Sequence, residues 1–235
     1  MGSILETKAN GVTYFPAELT NEMINLVRGK SSLAKLSAQR PVPFRGETAW
    51  KFTLDKEVDL VAESGAKSNG GATMGQITIT PVKIEYGARI TNEFMFASQE
   101  IQLQHLRAFS EGFAAKVARG IDIMAFHGLN PRTATAATAT IGTNHFDSKV
   151  NQTVTYAAAT ANDNVTAAIA LVESAEHEVT GMAMAPVFRS ALAAIKEGTN
   201  SNKPLFPELQ WGASPNVLGG LSVDTNSTVS FTGTG

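Results

Sequence analysis

Residues Thr48 to Ile90 constrain this chain more than any other stretch. From Trp50 to Leu60 the apolar side chains fall on alternate positions, Trp50, Phe52, Leu54, Val58 and Leu60, with Lys51, Thr53, Asp55, Glu57 and Asp59 between them. A two-residue period gives an extended strand one apolar and one charged face. Glu63 to Gly75 follows, with Gly65, Gly70, Gly71 and Gly75 among Ser, Asn, Ala and Thr; it supplies backbone freedom and no core. A second alternating run holds Ile77 and Ile79, then Val82, Ile84, Tyr86, Ala88 and Ile90. Its phase slips by one at Thr80-Pro81. A slip of one residue sends every later side chain to the other face, and proline removes a ladder donor, so a bulge or kink is expected at Pro81. Each arm holds about a dozen residues and reaches ~40 Å at about 3.3 Å per residue. A lone two-stranded ribbon is marginal in water, so a ribbon of this reach needs a surface to lie on. The expectation is an arm that docks on a neighbouring copy of the chain; the ordinary alternative is a hairpin folded back on its own sheet.

The rest of the composition narrows the function. A chain of 235 residues makes one large or two modest domains. With 43% hydrophobic and 17% charged residues it reads as a folded globular protein. A net charge of −2 gives no basic excess for gripping nucleic acid. Cysteine is absent, which excludes disulfides, thiolate metal sites and thiol nucleophiles. No apolar run approaches the roughly 18 residues of a membrane span, and residues 1–11 lack a signal-peptide core. Synthesis in the cytoplasm is therefore the default expectation, and the sequons at Asn151, Asn164 and Asn226 are chance matches.

Before the hairpin, residues 1–12 carry no periodic pattern and read as a loose arm. Pro16 opens a short helix over Ala17 to Val27, with Leu19, Met23, Ile24 and Val27 as its apolar stripe and Gly29 just past its end. Ser32 to Leu36 adds a second amphipathic piece. After the hairpin, Asn92 to Leu129 carries the strongest helical pattern. Leu103, Leu106, Phe109, Phe113, Val117, Ile121 and Met124 recur at steps of three or four. Taken from Gln99, this helix spans ~45 Å at about 1.5 Å per residue. Gly112 and Gly120 sit inside it at a cost of about 1 kcal/mol each against alanine, which points to close approach of another backbone. The remainder alternates helix and strand, with helices over Asp163 to Val179 and Phe188 to Ile195. A buried strand is expected at Gly181 to Pro186, and weaker strands at Thr153 to Thr155, Leu209 to Trp211, Asn216 to Leu221 and Val229 to Phe231. The domain organisation expected is an arm over 1–46, a hairpin over 47–90, a spine over 91–132 and an α/β domain over 133–235.

Chemistry is hard to find. Gly65 to Gly71 does not make a phosphate loop, because Lys67-Ser68 precedes the glycine pair and no helix follows. His105, His127, His145 and His177 are too far apart in sequence to suggest a metal helix. Glu18 with Glu22, and Glu173 with Glu176 beside His177, read as solvated helical faces. Met182 and Met184 read as core. No serine has a nucleophile-elbow context. No catalytic, cofactor or metal site is expected, and no enzymatic activity.

The order of arm, hairpin, long helix and α/β domain resembles the major capsid proteins of tailed bacteriophages, with the Hong Kong 97-type fold. The residues that carry the likeness are Phe15-Pro16-Ala17-Glu18, Val61-Ala62-Glu63-Ser64-Gly65-Ala66, Arg89-Ile90-Thr91-Asn92-Glu93-Phe94, Asp122 to Gly128, Ala185-Pro186 with Leu192 and Lys196, Pro204-Leu205-Phe206, and Val217 to Val223. Their order and spacing, over roughly Val12 to Asp224, make the case more than any single motif.

The resemblance implies an α+β fold with an N-terminal arm, an extended hairpin loop, a spine helix and an axial domain. It implies a shell subunit that associates with copies of itself as pentamers and hexamers. Scaffolding, portal or decoration proteins would be its other partners. It would enclose double-stranded DNA without sequence-specific binding, in a virion made in the host bacterial cytoplasm, with no membrane. In the family the chain continues past the axial domain and returns beside the spine; that return is missing here, so either these residues are a fragment or the core is closed differently. Inter-subunit contacts are expected from Trp50, Phe52, Leu54, Glu63, Lys67, Ile79, Pro81 and Tyr86. Some family members crosslink a lysine of the extended loop to a neighbouring subunit, and Lys67 matches it in position. The rival readings are an encapsulin-type nanocompartment shell and an α/β ligand-binding domain, 134–235, with an oligomerisation arm.

Overall fold

A computed structural model describes residues 6–7, 13–14, 17–87, 99–198 and 201–232. The chain forms two compact units, residues 39–85 and residues 1–38 with 86–235.

The larger unit is built along one helix, α3 (Gln99–His127), whose 29 residues span ~44 Å at about 1.5 Å per residue. Its most buried line is Ser110, Ala114, Ala118 and Asp122, at steps of four. Leu106 and Ile123 are also buried, while Phe109, Phe113, Val117, Ile121 and Met124 are half-buried. The large apolar residues seen in the sequence therefore flank a seam of small ones. α1 (Ala17–Lys30) packs alongside this helix. It runs through Gly29, which the sequence placed beyond its end. α2 (Ser32–Leu36) follows, capped by the hydroxyl of Ser31, which accepts from the amide of Ala34 at 3.2 Å. Ahead of them, β1 (Glu6–Thr7) pairs antiparallel with β2 (Thr13–Tyr14), so part of the segment expected to be a loose arm is a small ribbon.

Gly120 meets the ring of Pro131, 3.3 Å from where a Cβ would stand, whereas Gly112 has nothing within 4 Å. The close backbone approach expected at both glycines is thus absent within the described chain, and a proline ring occupies one of the two places.

Beyond the spine lie α4 (Phe146–Lys149), α5 (Ala161–Glu173), β5 (Gly181–Met184) and α6 (Pro186–Ala194). β5 pairs parallel with β7 (Leu221–Thr225), which pairs antiparallel with β6 (Val217–Leu218). Gly219 and Gly220 join β6 to β7 with φ of +59° and +91°, the two-residue turn whose twist suits a hairpin and which glycine adopts without strain. Ala161, Leu192 and Leu209 form the core between α5, α6 and the 3₁₀ turn 207–212, with Phe188, Val165 and Phe206 around them.

Several expected elements differ. Thr153 to Thr155 forms no strand. Leu209 to Trp211 and Val229 to Phe231 fall in or beside 3₁₀ turns, Pro207–Gly212 and Ser227–Ser230. α5 stops at Glu173, so Glu176, in a left-handed conformation at φ +61°, and His177 lie beyond it and not on a helical face.

In the smaller unit, β3 (Glu47–Leu54) pairs antiparallel with β4 (Ala72–Ile79). Each strand has eight residues, ~26 Å at about 3.3 Å per residue, shorter than the sequence period suggested. Val58 and Leu60 continue the alternation but lie outside any strand. At the other end the ladder stops at Ile79, so Thr80-Pro81 terminates β4 where a bulge was expected; no strand runs through 81–87, and 88–90 lie outside the described residues.

Candidate assembly surfaces

The hairpin register decides which side chains share a face. Trp50, Phe52 and Leu54 oppose Gln76, Met74 and Ala72, so one face is apolar: Trp50 is 68% exposed, Phe52 62% and Leu54 67%. On the other face Ala49 opposes Ile77 and Glu47 opposes Ile79, with Lys51, Thr53 and Thr73 beyond them. The sequence period placed one apolar face on this ribbon. The register adds a second, smaller one, because Ile77 and Ile79 point away from Trp50.

The turn beyond the strands is closed by its own polar groups. The amide of Gly71 donates to Asp55 Oδ1 at 2.6 Å, and that of Asp55 donates to the carbonyl of Gly71 at 3.1 Å. Lys56 Nζ donates to the carbonyl of Asn69 at 3.0 Å. Val58 and Leu60 are almost fully exposed. Glu63 lies in the turn before Ser64, and Lys67 is exposed in the tip. Pro81 is exposed just past β4. Tyr86 stands apart from the other expected contact residues. Its ring lies 6.2 Å from Phe109 and 6.1 Å from Phe113, so it belongs with the spine and not with the ribbon.

In the larger unit the most developed polar cluster is one the sequence did not single out. Asp122, fully buried on the spine, accepts from Ser31 Oγ at 2.6 Å, from the amides of Ser32 at 2.9 Å and Leu33 at 3.2 Å, and from Asn226 Nδ2 at 3.1 Å. Thr228 Oγ1 approaches it at 3.5 Å. Asp224 at the end of β7 accepts from Ser32 Oγ and from Lys35 Nζ, the latter at 2.6 Å. Two carboxylates thus hold the α1–α2 junction to the spine and to the last strand. A buried carboxylate is tolerated because donors satisfy its oxygens. The legible sign was Asp122 standing between Ile121 and Ile123 in an otherwise apolar run.

The C-terminal end of the spine carries a second cluster. His127 Nδ1 lies 2.7 Å from Asp147 Oδ2 and Nε2 lies 2.8 Å from the carbonyl oxygen of Thr228. The ring of His145 lies against Gly128, where any Cβ would collide with it. Two histidines that are distant in sequence therefore meet at one helix end. Among the described residues no group of three His, Asp or Glu is placed to hold a metal. No described helix is long and apolar enough to cross a membrane. In the domain beyond the spine, Trp211 is fully exposed at φ +58°, on a turn that Arg189 braces through the carbonyl of Gly212 at 2.9 Å and Ser214 Oγ at 2.7 Å.

The described chain is an α+β protein with a long helix over a seam of small residues, a small mixed sheet, and a ribbon whose apolar side chains are exposed. A model of the phage capsid family matches residues 11–235, and the chain belongs to that family. It is similar to a solved structure from Mycobacterium phage Ogopogo, with a TM-score of 0.68, 25% identity, and coverage of 85% of this chain and 64% of that one. A second, from Gordonia phage Cozz, has a TM-score of 0.58 and 15% identity over 84% of this chain and 62% of that one, and shows the fold alone. The chain spans less than two thirds of either structure's length. A comparison with curated proteins gives no match.

Proposed function

We propose that this chain is the structural shell subunit of a tailed phage head, associating with its own copies as pentamers and hexamers around double-stranded DNA. Family membership supports the shell role. The ribbon carries the contact reading: Trp50, Phe52, Leu54 and Met74 are exposed together on one face, and Ile77 is exposed on the other. At roughly 25 cal/mol per Å² of apolar area, covering such a surface is the strongest association drive the hairpin has. Trp50, Phe52 and Leu54 on one side and Ile79 on the other are the contact residues, with Glu63, Lys67 and Pro81 at the margins. Scaffolding, portal or decoration proteins are the further partners, the virion head is the location, and the host cytoplasm is the place of synthesis.

The test is a triple substitution, Trp50→Thr, Phe52→Thr and Leu54→Thr, which keeps strand-forming residues while removing the apolar face. The variant subunit should stay folded and soluble yet form no closed particles by negative-stain microscopy. Particles like the wild type's would refute the ribbon as the docking element. Lys67 is the crosslink candidate: bands heavier than the monomer on a denaturing gel, lost in Lys67→Arg, would support it.

A further inference from the structure

We propose that His127 is a proton-operated latch that fastens α4 to the end of the spine. Its two ring nitrogens both face acceptors, a carboxylate oxygen of Asp147 and the carbonyl oxygen of Thr228. A carbonyl oxygen only accepts, and so does an ionised carboxylate. Only the doubly protonated imidazolium donates to both at once.

When the ring loses a proton it keeps one N–H and presents a lone pair to the other acceptor. The two sides are unequal. The Thr228 carbonyl is partly buried and cannot exchange its donor for water freely, whereas the Asp147 side chain is 61% exposed and can. The remaining proton therefore stays on Nε2, and Asp147 is released. α4 is then left with the ring contact of Phe146 on Phe126, 5.7 Å between centroids, as its other tie to the spine.

The charged and titratable groups around His127 are few among the described residues. From α4 come Asp147 and, pointing to solvent, Lys149. His145 precedes α4; its Nδ1 is buried without a partner and its ring lies on Gly128. The turn Ser227–Ser230 presents no titratable side chain. On the spine itself, Asp122 is engaged by Ser31, Ser32, Leu33 and Asn226, and Arg119 lies over the Phe231 ring at 5.3 Å and reaches Ser227 Oγ at 3.3 Å. His145 is thus the one competing imidazole, and the experiment must separate it from His127.

Amide hydrogen exchange on the full chain, corrected for intrinsic rates and followed from about pH 5 to about pH 8, tests the latch. The amides of Ser148, Lys149 and Val150, which donate to the carbonyls of His145 and Phe146, should lose roughly tenfold in protection as the pH rises. His127→Gln should make their protection independent of pH, and His145→Gln should leave the dependence in place. Flat protection in the wild type, a dependence that survives His127→Gln, or one that disappears in His145→Gln would overturn the proposal. Imidazole ¹⁵N shifts of the wild type give a check that needs no variant. Both His127 nitrogens should be protonated at the low end and only Nε2 at the high end; a neutral ring protonated at Nδ1 would refute the assignment of the released side.

Discussion

Asp122 accepts from four groups on two segments far apart in the sequence, Ser31 to Leu33 and Asn226. Asp122→Ala removes the acceptor and leaves those donors without a partner in a water-poor place. The expected loss is roughly 3 kcal/mol of subunit stability, read as a lower urea midpoint with an unchanged slope. A loss near zero would mean that water takes over the site. Little of this was legible beforehand. Ser32 reads as the start of a helix, which it is, but nothing local shows that a carboxylate 90 residues on would reach its amide. Hydrogen-bond partners across the chain leave no periodicity to read. The same holds for His127 and His145, which only the fold brings together.

At the level of elements, periodicity served well where one face was buried and poorly where it was not. The long helix, α1, α2 and β5 were readable because apolar steps of three to four, or a short apolar run, have few alternatives. Leu209 to Trp211 and Val229 to Phe231 were misread because 3₁₀ turns share the short apolar composition of weak strands, whereas Asn216 to Leu221 does hold β6. The alternation through Leu60 overextended β3, since period two also occurs in irregular chain. The two spine glycines offer a test at this scale. Gly112 has open space around it, so Gly112→Ala should raise subunit stability by about 1 kcal/mol, measured by thermal or denaturant unfolding. If the variant is more stable yet defective in particle formation, the close approach that the sequence suggested there is made by another copy. If assembly is intact, the glycine serves no contact. Gly120→Ala should gain less, because Pro131 lies 3.3 Å from the new methyl position and must shift.

For the whole molecule, the broad fold was legible in the order of its parts, while the two faces of the ribbon became visible only with its register. A net charge of −2 fits the proposal that the shell confines DNA without gripping it. The isolated subunit should therefore leave duplex DNA unshifted in a gel at physiological salt. Retention with a steep salt dependence would argue for a phosphate-binding surface instead. One consequence of the ribbon reaches back to the moment of synthesis. A newly made protomer carries an oily patch on each side of the ribbon, the smaller one beside Lys51 and Thr53, so in the proposed assembly it is at its stickiest before it meets a growing particle. How fast an advancing rim captures it then sets the yield, and overproduction without nucleation favours amorphous clumps over a reserve of free protein.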